Sequence, residues 1–207
     1  SKYLDYMDQG TLIHRVIEKL YKPFVGKNLD VSNINFMKNQ LQNESYNTFI
    51  ELYSKEPTGK NLIFIEVVKE YIENTLNFEF DQIKNKNSRI KIISLEKKLE
   101  YNLTIKNQNV KLKGIIDRID LFNDEVRIID YKSGNVNSGV LDIKNIDKVK
   151  KDHKYSYLLQ LLFYKYLLGM NDAEIQIKEI GICSLKKRHL PFQFIKNQAI
   201  LSLEEIQ

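Results

Sequence analysis

Cysteine is almost missing from this 207-residue chain; Cys183 stands alone. A disulfide framework is excluded, and so is any four-cysteine zinc or iron–sulfur site built within the chain. Long apolar runs are missing too. Even Leu158 to Leu168 is too short for a membrane span, and it carries Lys165. The opening Ser1-Lys2-Tyr3-Leu4-Asp5 has no apolar signal segment, so a cytoplasmic protein with no membrane partner is the expectation. There is no internal repeat and no low-complexity tract. A Walker A loop is absent as well. Pro57-Thr58-Gly59-Lys60-Asn61 lacks the leading glycine and the hydroxyl residue after lysine, so any motor must lie elsewhere. Charge is not extreme. A net +5 and a pI near 9.0 permit a polyanionic partner without demonstrating one.

What is present divides into two halves. Hydrophobic residues make up 43% of the chain, enough for a sizeable core. In the first half, Leu12, Val16, Ile17 and Leu20 recur at helical spacing from Gly10 to Tyr21, before Pro23. Asn33 to Tyr53 reads as one or two helices with Ile34, Met37, Leu41 and Phe49 as the apolar stripe. Pro57-Thr58-Gly59 breaks the pattern, and Asn61 to Ile83 resumes it through Leu62, Ile65, Val68, Ile72 and Leu76. After Arg89, Ile90–Leu95, Lys98–Ile105, Val110–Phe122 and Glu125–Tyr131 are rich in β-branched residues and read as an antiparallel meander. Asn135 to Asp152 is polar and reads as a loop or mobile flap. Tyr155 to Leu168 is an apolar helix that Gly169 is expected to end. Two strands follow, Gln176–Ser184 and Leu190–Ile195, and Ser202 to Glu205 opens another helix. The fold class is α/β, with helices packed on a mixed sheet.

The hairpin at 114–134 carries the chemistry. A two-residue turn at Asn123-Asp124 pairs residues whose numbers sum to 247, which sets Asp117 opposite Asp130 at about 4.5–5.5 Å between Cβ atoms. Lys132 lies two residues beyond Asp130 and shares its face. Two carboxylates between apolar neighbours Ile115, Ile119 and Ile128 repel each other and lose hydration. Lys132 supplies one compensating charge, and an oxygen-liganded Mg²⁺ or Mn²⁺ would supply the rest. A plain salt bridge on an exposed sheet face is the competing reading. Arg118 and Asp120 point to the opposite face and read as structural, bonded to a packing helix.

These residues resemble the PD-(D/E)XK nucleases, in particular the RecB- and AddB-like branch. Four parts carry the resemblance, in the family's order. Gly10-Thr11-Leu12-Ile13-His14 is similar to its N-terminal Gly-x-x-x-His helix. Gly114-x-x-Asp117-Arg118-x-Asp120 is similar to its first acidic strand. Asp130-Tyr131-Lys132-Ser133 is similar to its Asp-Tyr-Lys-(Ser/Thr) signature. Gln160-Leu161-Leu162-Phe163-Tyr164 is similar to its Gln-x-x-x-Tyr motif.

The resemblance implies a restriction-endonuclease-like core with an N-terminal helical region. It implies Asp117, Asp130, the His14 imidazole and the Tyr131 main-chain carbonyl as metal ligands, and Lys132 as the group acting on the attacked phosphate. Gln160 and Tyr164 would contact the DNA backbone and orient Lys132. Glu96 sits where relatives often carry a strand glutamate, and Glu18 is a candidate partner of His14 at i+4. The basic run Lys186-Lys187-Arg188-His189 reads as a solvated turn or a phosphate contact. Four-cysteine relatives hold an iron–sulfur cluster that this chain cannot build, which points to a cluster-free subgroup.

The expectation is one nuclease domain over 1–207, mainly helical at 10–86, with the catalytic sheet and Gln-x-x-x-Tyr helix at 90–195. It would be cut from a longer polypeptide that includes or partners a helicase. The implied activity is Mg²⁺- or Mn²⁺-dependent exonucleolytic hydrolysis of DNA in break repair or recombination, leaving 5′-phosphate and 3′-hydroxyl ends. The alternatives are a nuclease fold that binds DNA without cutting it and a purely structural interaction domain.

Overall fold

A computed structural model of the chain describes residues 6–143, 149 and 152–196. Three long helices come first: α1 (Tyr6–Tyr21), α2 (Val31–Tyr53) and α3 (Lys60–Lys84). The second is one uninterrupted helix. Its start is fixed by Asp30, whose side chain accepts from the Asn33 backbone N–H at 2.8 Å while the Asn33 side chain accepts from the Asp30 N–H. This reciprocal cap satisfies two otherwise unpaired donors. Its stop is Ser54, in the left-handed conformation. The periodic residues Ile34, Met37, Leu41 and Phe49 are all buried, as are Ile65, Val68, Ile72 and Leu76 of α3. Leu62, counted in the same stripe, is exposed, because it lies in the first turn, ahead of the packed part of the helix.

The sheet has five strands in the order β1 (Ile90–Ile105), β2 (Gln108–Phe122), β3 (Glu125–Lys132), β4 (Ile177–Ser184) and β5 (Phe192–Phe194). The first three form the antiparallel meander; β4 runs parallel to β3, and β5 antiparallel to β4. Helix α4 (Ser156–Asn171) makes the crossover between β3 and β4. Helices α1–α3 cover one face of the sheet through Ile90, Ile92, Ile129, Tyr131 and Cys183. Helix α4 covers the other through Leu99, Ile116, Ile119, Ile128, Ile180 and Ile182. Burial on both faces explains why β3 and β4 read as continuous apolar runs rather than alternating ones.

Three expectations need correction. The two segments foreseen at 90–105 are one strand, bent by an irregularity between Ile92 and Ser94 and by a positive φ of 48° at Glu96. Gly169 does not end α4, which continues to Asn171. A glycine costs a helix only about 1 kcal/mol. Buried Leu167 and Leu168, and the Asn171 amide donating to the Glu100 carbonyl at 3.3 Å, hold the last turn on the sheet. The described part of the 135–152 segment is anchored, with Val136, Leu141, Ile143 and Val149 buried against α4's core. Its polar composition concealed those anchors. The helix start foreseen at Ser202–Glu205 lies outside the described residues. Among the described residues, no helix is long and apolar enough to cross a membrane.

Candidate metal centre and active site

The turn at Asn123-Asp124 sets the register foreseen from it: Arg118 pairs with Ile129, Ile119 with Ile128 and Phe122 with Glu125. The backbone ladder stops there. One step further, Asp117 continues it with its side chain, Oδ2 accepting from the Tyr131 backbone N–H at 2.7 Å. Both carboxylates are buried, Asp117 at 7% exposure and Asp130 at 2%. On the other side of β2, Leu95 pairs with Arg118 and Lys97 with Ile116, so Glu96 stands opposite Asp117.

Helix α1 brings His14 to this place. Its Nδ1 lies 3.4 Å from Asp117 Oδ1 and 3.6 Å from Glu96 Oε1, and its Nε2 is 3.1 Å from the Tyr131 carbonyl. One ligand atom from each of His14, Glu96 and Asp117 falls within 4.8 Å of the others. One nitrogen and several carboxylate oxygens form a donor set suited to Mg²⁺ or Mn²⁺. The carbonyl of Tyr131 accepts from His14, which fixes the ring and turns Nδ1 toward the carboxylates. Burial alone would lower the imidazole pKa, but Asp117 and Glu96 outweigh it and push it up to about 10.

Asp130 faces the other half of the site. Its Oδ2 lies 2.8 Å from Lys132 Nζ. Burial, and then the charge on Asp117, push its carboxyl up to about 6; Lys132 offsets only part of this. Lys132 also donates to Gln160 Oε1 at 3.1 Å, and Gln160 Nε2 donates to the Tyr164 hydroxyl at 2.7 Å. The two contacts are consistent with one amide orientation: the oxygen faces the ammonium, and the amino group faces an acceptor. Burial raises Tyr164 to about 12, so it stays a neutral hydroxyl. Helix α4 can approach this closely because position 114 is glycine. A Cβ there would stand 2.9 Å from Leu167 Cδ1 and 3.4 Å from Tyr164 Cε1.

The structure thus joins His14, Glu96 and Asp117 in one group, and Asp130, Lys132, Gln160 and Tyr164 in an adjoining chain of contacts. Glu18 falls outside both. It pairs with Arg15 at 3.0 Å rather than with His14, because an arginine three residues away on the exposed helix face is a closer partner. In the basic run, Arg188 pairs with Glu70 at 2.6 Å and Lys187 donates to the Val136 carbonyl at 3.2 Å. Sequence reasoning missed Tyr157, whose ring centroid is 5.1 Å from Lys132 Nζ. Its signal was present: positions 157, 160 and 164 share one helical face.

Arg118 and Asp120 do point away from the site, toward a packing helix. Arg118 is fully buried and donates to Glu79 of α3 at 2.7 Å, to Asp120 at 2.8 Å and to the Tyr131 hydroxyl at 3.1 Å. Asp120 also accepts two bonds from Arg127 at 2.9 Å. Tyr21 closes the network on Glu79 at 2.6 Å. The same Tyr131 whose backbone meets His14 and Asp117 is therefore held by its hydroxyl in the buried network under α3.

The chain is similar to an uncharacterised protein of Rickettsia bellii, 31% identical over 130 residues, which are 62% of this chain and 14% of that protein. An uncharacterised protein of Rickettsia conorii is 29% identical over 140 residues, 62% of this chain and 15% of its own length. The chain thus spans about one seventh of the curated relatives it matches. A sequence model of the PD-(D/E)XK nuclease superfamily matches residues 2–200. With that match across nearly its whole length, the chain belongs to the PD-(D/E)XK nuclease superfamily.

Proposed function

We propose that this chain is a Mg²⁺- or Mn²⁺-dependent deoxyribonuclease of the RecB/AddB-like branch, acting as an exonuclease. The observation that carries this reading is the joining of two sets of groups at one place. His14, Glu96 and Asp117 lie within 4.8 Å of one another, and beside them runs the contact chain Asp130–Lys132–Gln160–Tyr164. The superfamily's use of divalent metals supports the assignment of the first set. His14, Glu96, Asp117 and Asp130 would hold the metal, while the Tyr131 carbonyl, expected as a further ligand, would instead accept from the His14 ring and orient it. A metal bound there supplies Lewis acidity at the phosphate and a more acidic water.

The chain's own groups do the rest. Lys132 places a positive charge where charge develops on the phosphate, in a partly buried site where it counts for more than in water. Asp130 and Gln160 fix its ammonium from two directions. Tyr164 holds the sense of the Gln160 amide by accepting from it, which leaves its own O–H proton to donate to a substrate oxygen. Burial of Asp117 and Asp130 limits bulk water at the reacting centre.

Residues 1–207 act in this reading as a single nuclease domain of a longer cytoplasmic polypeptide, working beside a helicase domain or subunit in repair or recombination of broken DNA. The much greater length of the matched relatives supports a multidomain setting. Incubation with labelled linear single- and double-stranded DNA in Mg²⁺, Mn²⁺ or EDTA tests it. Metal-dependent cleavage that is lost in Lys132→Ala is expected, with mononucleotides or short products released from the ends. Metal-independent cleavage, or cleavage that survives in Lys132→Ala, sinks the assignment.

A further inference from the structure

Strands β1 and β2 are about twice as long as β3: 16 and 15 residues against 8. Strand β3 pairs with β2 only from Arg118 to Phe122. The hairpin beyond Asp117 therefore projects as a two-stranded arm. One face of the arm is covered by α4. Leu99, Tyr101 and Leu112 join that helix's core, and Gly114 lies against Leu167. Side chains alternate along a strand, so Lys98, Glu100 and Asn102 of β1 and Lys111, Lys113 and Ile115 of β2 occupy the other face. All six are exposed. Asp117 lies two positions beyond Ile115 on β2, so this face leads up to the candidate active site.

The chemistry of that face is one-sided. Cross-strand pairing sets Lys98 against Ile115, Glu100 against Lys113 and Asn102 against Lys111. Three lysines meet one acid, Glu100, which lies 2.5 Å from Lys111 and 3.3 Å from Lys113. Thr104 and Asn109, bonded to each other at 3.0 Å, add polar groups near the tip. Ile115 is the sole large apolar side chain among them. Lysine and glutamate are depleted from the cores of protein–protein interfaces, whereas lysine and short polar side chains are typical phosphate contacts. We propose that the free face of the β1–β2 arm is a track for the phosphate backbone of the DNA strand whose reacting bond lies at Asp117. The proposal rests on the nuclease reading for the place of that bond; the lysine row itself does not.

Length makes the idea quantitative. Lys111 lies six positions before Asp117 on β2, about 20 Å at about 3.4 Å per residue. At about 3.4 Å per nucleotide along one strand, that corresponds to about six nucleotides. Only DNA that reaches past this length should therefore engage the whole row.

Fluorescence anisotropy in EDTA reads binding whether or not the chain cleaves. The probes are labelled single strands of 4, 8 and 16 nucleotides and a 16-base-pair duplex, each titrated with salt. The variants are Lys98→Ala/Lys111→Ala/Lys113→Ala and Glu100→Gln, with thermal melts as the folding check. The triple variant is expected to bind the 16-mer about tenfold or more weakly. Its salt slope should fall by about 2 on single strands, where each released counterion contributes about 0.7. The tetranucleotide, which reaches only the Lys98 end of the row, should show a much smaller difference. Glu100→Gln frees two lysines and should bind the 16-mer more tightly, an outcome that a merely structural salt bridge does not give. A slope change confined to the duplex or to the single strand identifies which form the arm follows. The proposal is overturned if the wild-type chain does not bind the 16-mer. It is equally overturned if the triple variant keeps its slope and affinity, or if Glu100→Gln binds no more tightly. Cleavage lost in Lys132→Ala alongside an unaltered triple variant would retain the nuclease and reject the arm.

Discussion

Two clusters of charge share strands β2 and β3, and their balance differs. On the α1–α3 face, Glu79 and Asp120 meet Arg118 and Arg127, two acids with two bases, all almost wholly buried. At the site, Glu96, Asp117 and Asp130 meet Lys132 and a His14 imidazole pushed up to about 10, three acids with two cations. The titration behaviour follows. Burial would raise Asp120, but Arg118 and Arg127 hold it below the ordinary carboxylate range. Burial and the neighbouring Asp117 push Asp130 up to about 6. A balanced buried cluster fastens the fold; an unbalanced one is completed by a cation from outside.

The largest effect should come from breaking the unbalanced cluster. Lys132→Ala or Asp117→Ala is expected to reduce DNA cleavage by about 10²–10⁴-fold, read on gels with labelled substrate, while the far-ultraviolet circular dichroism stays native. Full activity in either variant would place the chemistry elsewhere.

Breaking the balanced cluster should cost stability. Arg118→Met leaves Glu79 buried without a cation and Asp120 with Arg127 alone, and is expected to lower the unfolding free energy by about 3–5 kcal/mol in a urea titration. A loss under about 1 kcal/mol would remove the contrast between the two clusters.

A third substitution turns the difference into opposite signs. Asp130→Asn removes a repelled charge, so the metal-free protein should melt at a higher temperature than wild type at pH 8. The rise in Tm that Mg²⁺ or Mn²⁺ gives the wild type should shrink or vanish. An unchanged metal-induced rise would show that Asp130 takes no part in binding.

The smallest effect is the pH dependence in EDTA. Asp130 is raised in the fold, so its penalty is relieved as pH falls through about 6 toward its unfolded value of about 4. Asp120 is depressed, so its contribution is present above about pH 4 and is lost as pH falls below that through its folded pKa. The metal-free protein should gain stability from the first group as pH falls from about 6 to about 4 and lose it from the second below about pH 4. In Asp130→Asn the first change should be absent in denaturant titrations, and the second should remain.

Much of this was legible because local rules fixed it. A two-residue turn set the register of β2 on β3 as far as Arg118–Ile129 without any tertiary information, and the 3.6 period placed Gln160 under Tyr164. Arg118 and Asp120 were separated from the site by strand alternation alone. What stayed hidden depends on long-range approach. Glu96 reaches His14 only through the bend in β1, and no propensity encodes a left-handed glutamate. Glu18 shared the helical face of His14, but spacing cannot choose between His14 and Arg15 as its partner. Glu79 lies near the end of a 25-residue helix with nothing local to mark it as the anchor of Arg118. Gly169 looked like a stop because its cost is local, while the contacts that override it come from β1.

The left-handed backbone at Glu96 has a consequence for anyone who would improve this protein. A side-chain-bearing residue held there costs about 1–2 kcal/mol that a glycine would be spared. Glu96→Gly should therefore relax the strand and remove one of the clustered negative charges, as Asp130→Asn would remove another. Selection for heat resistance without a metal would favour both. The hardiest variants of this chain should then be its poorest nucleases.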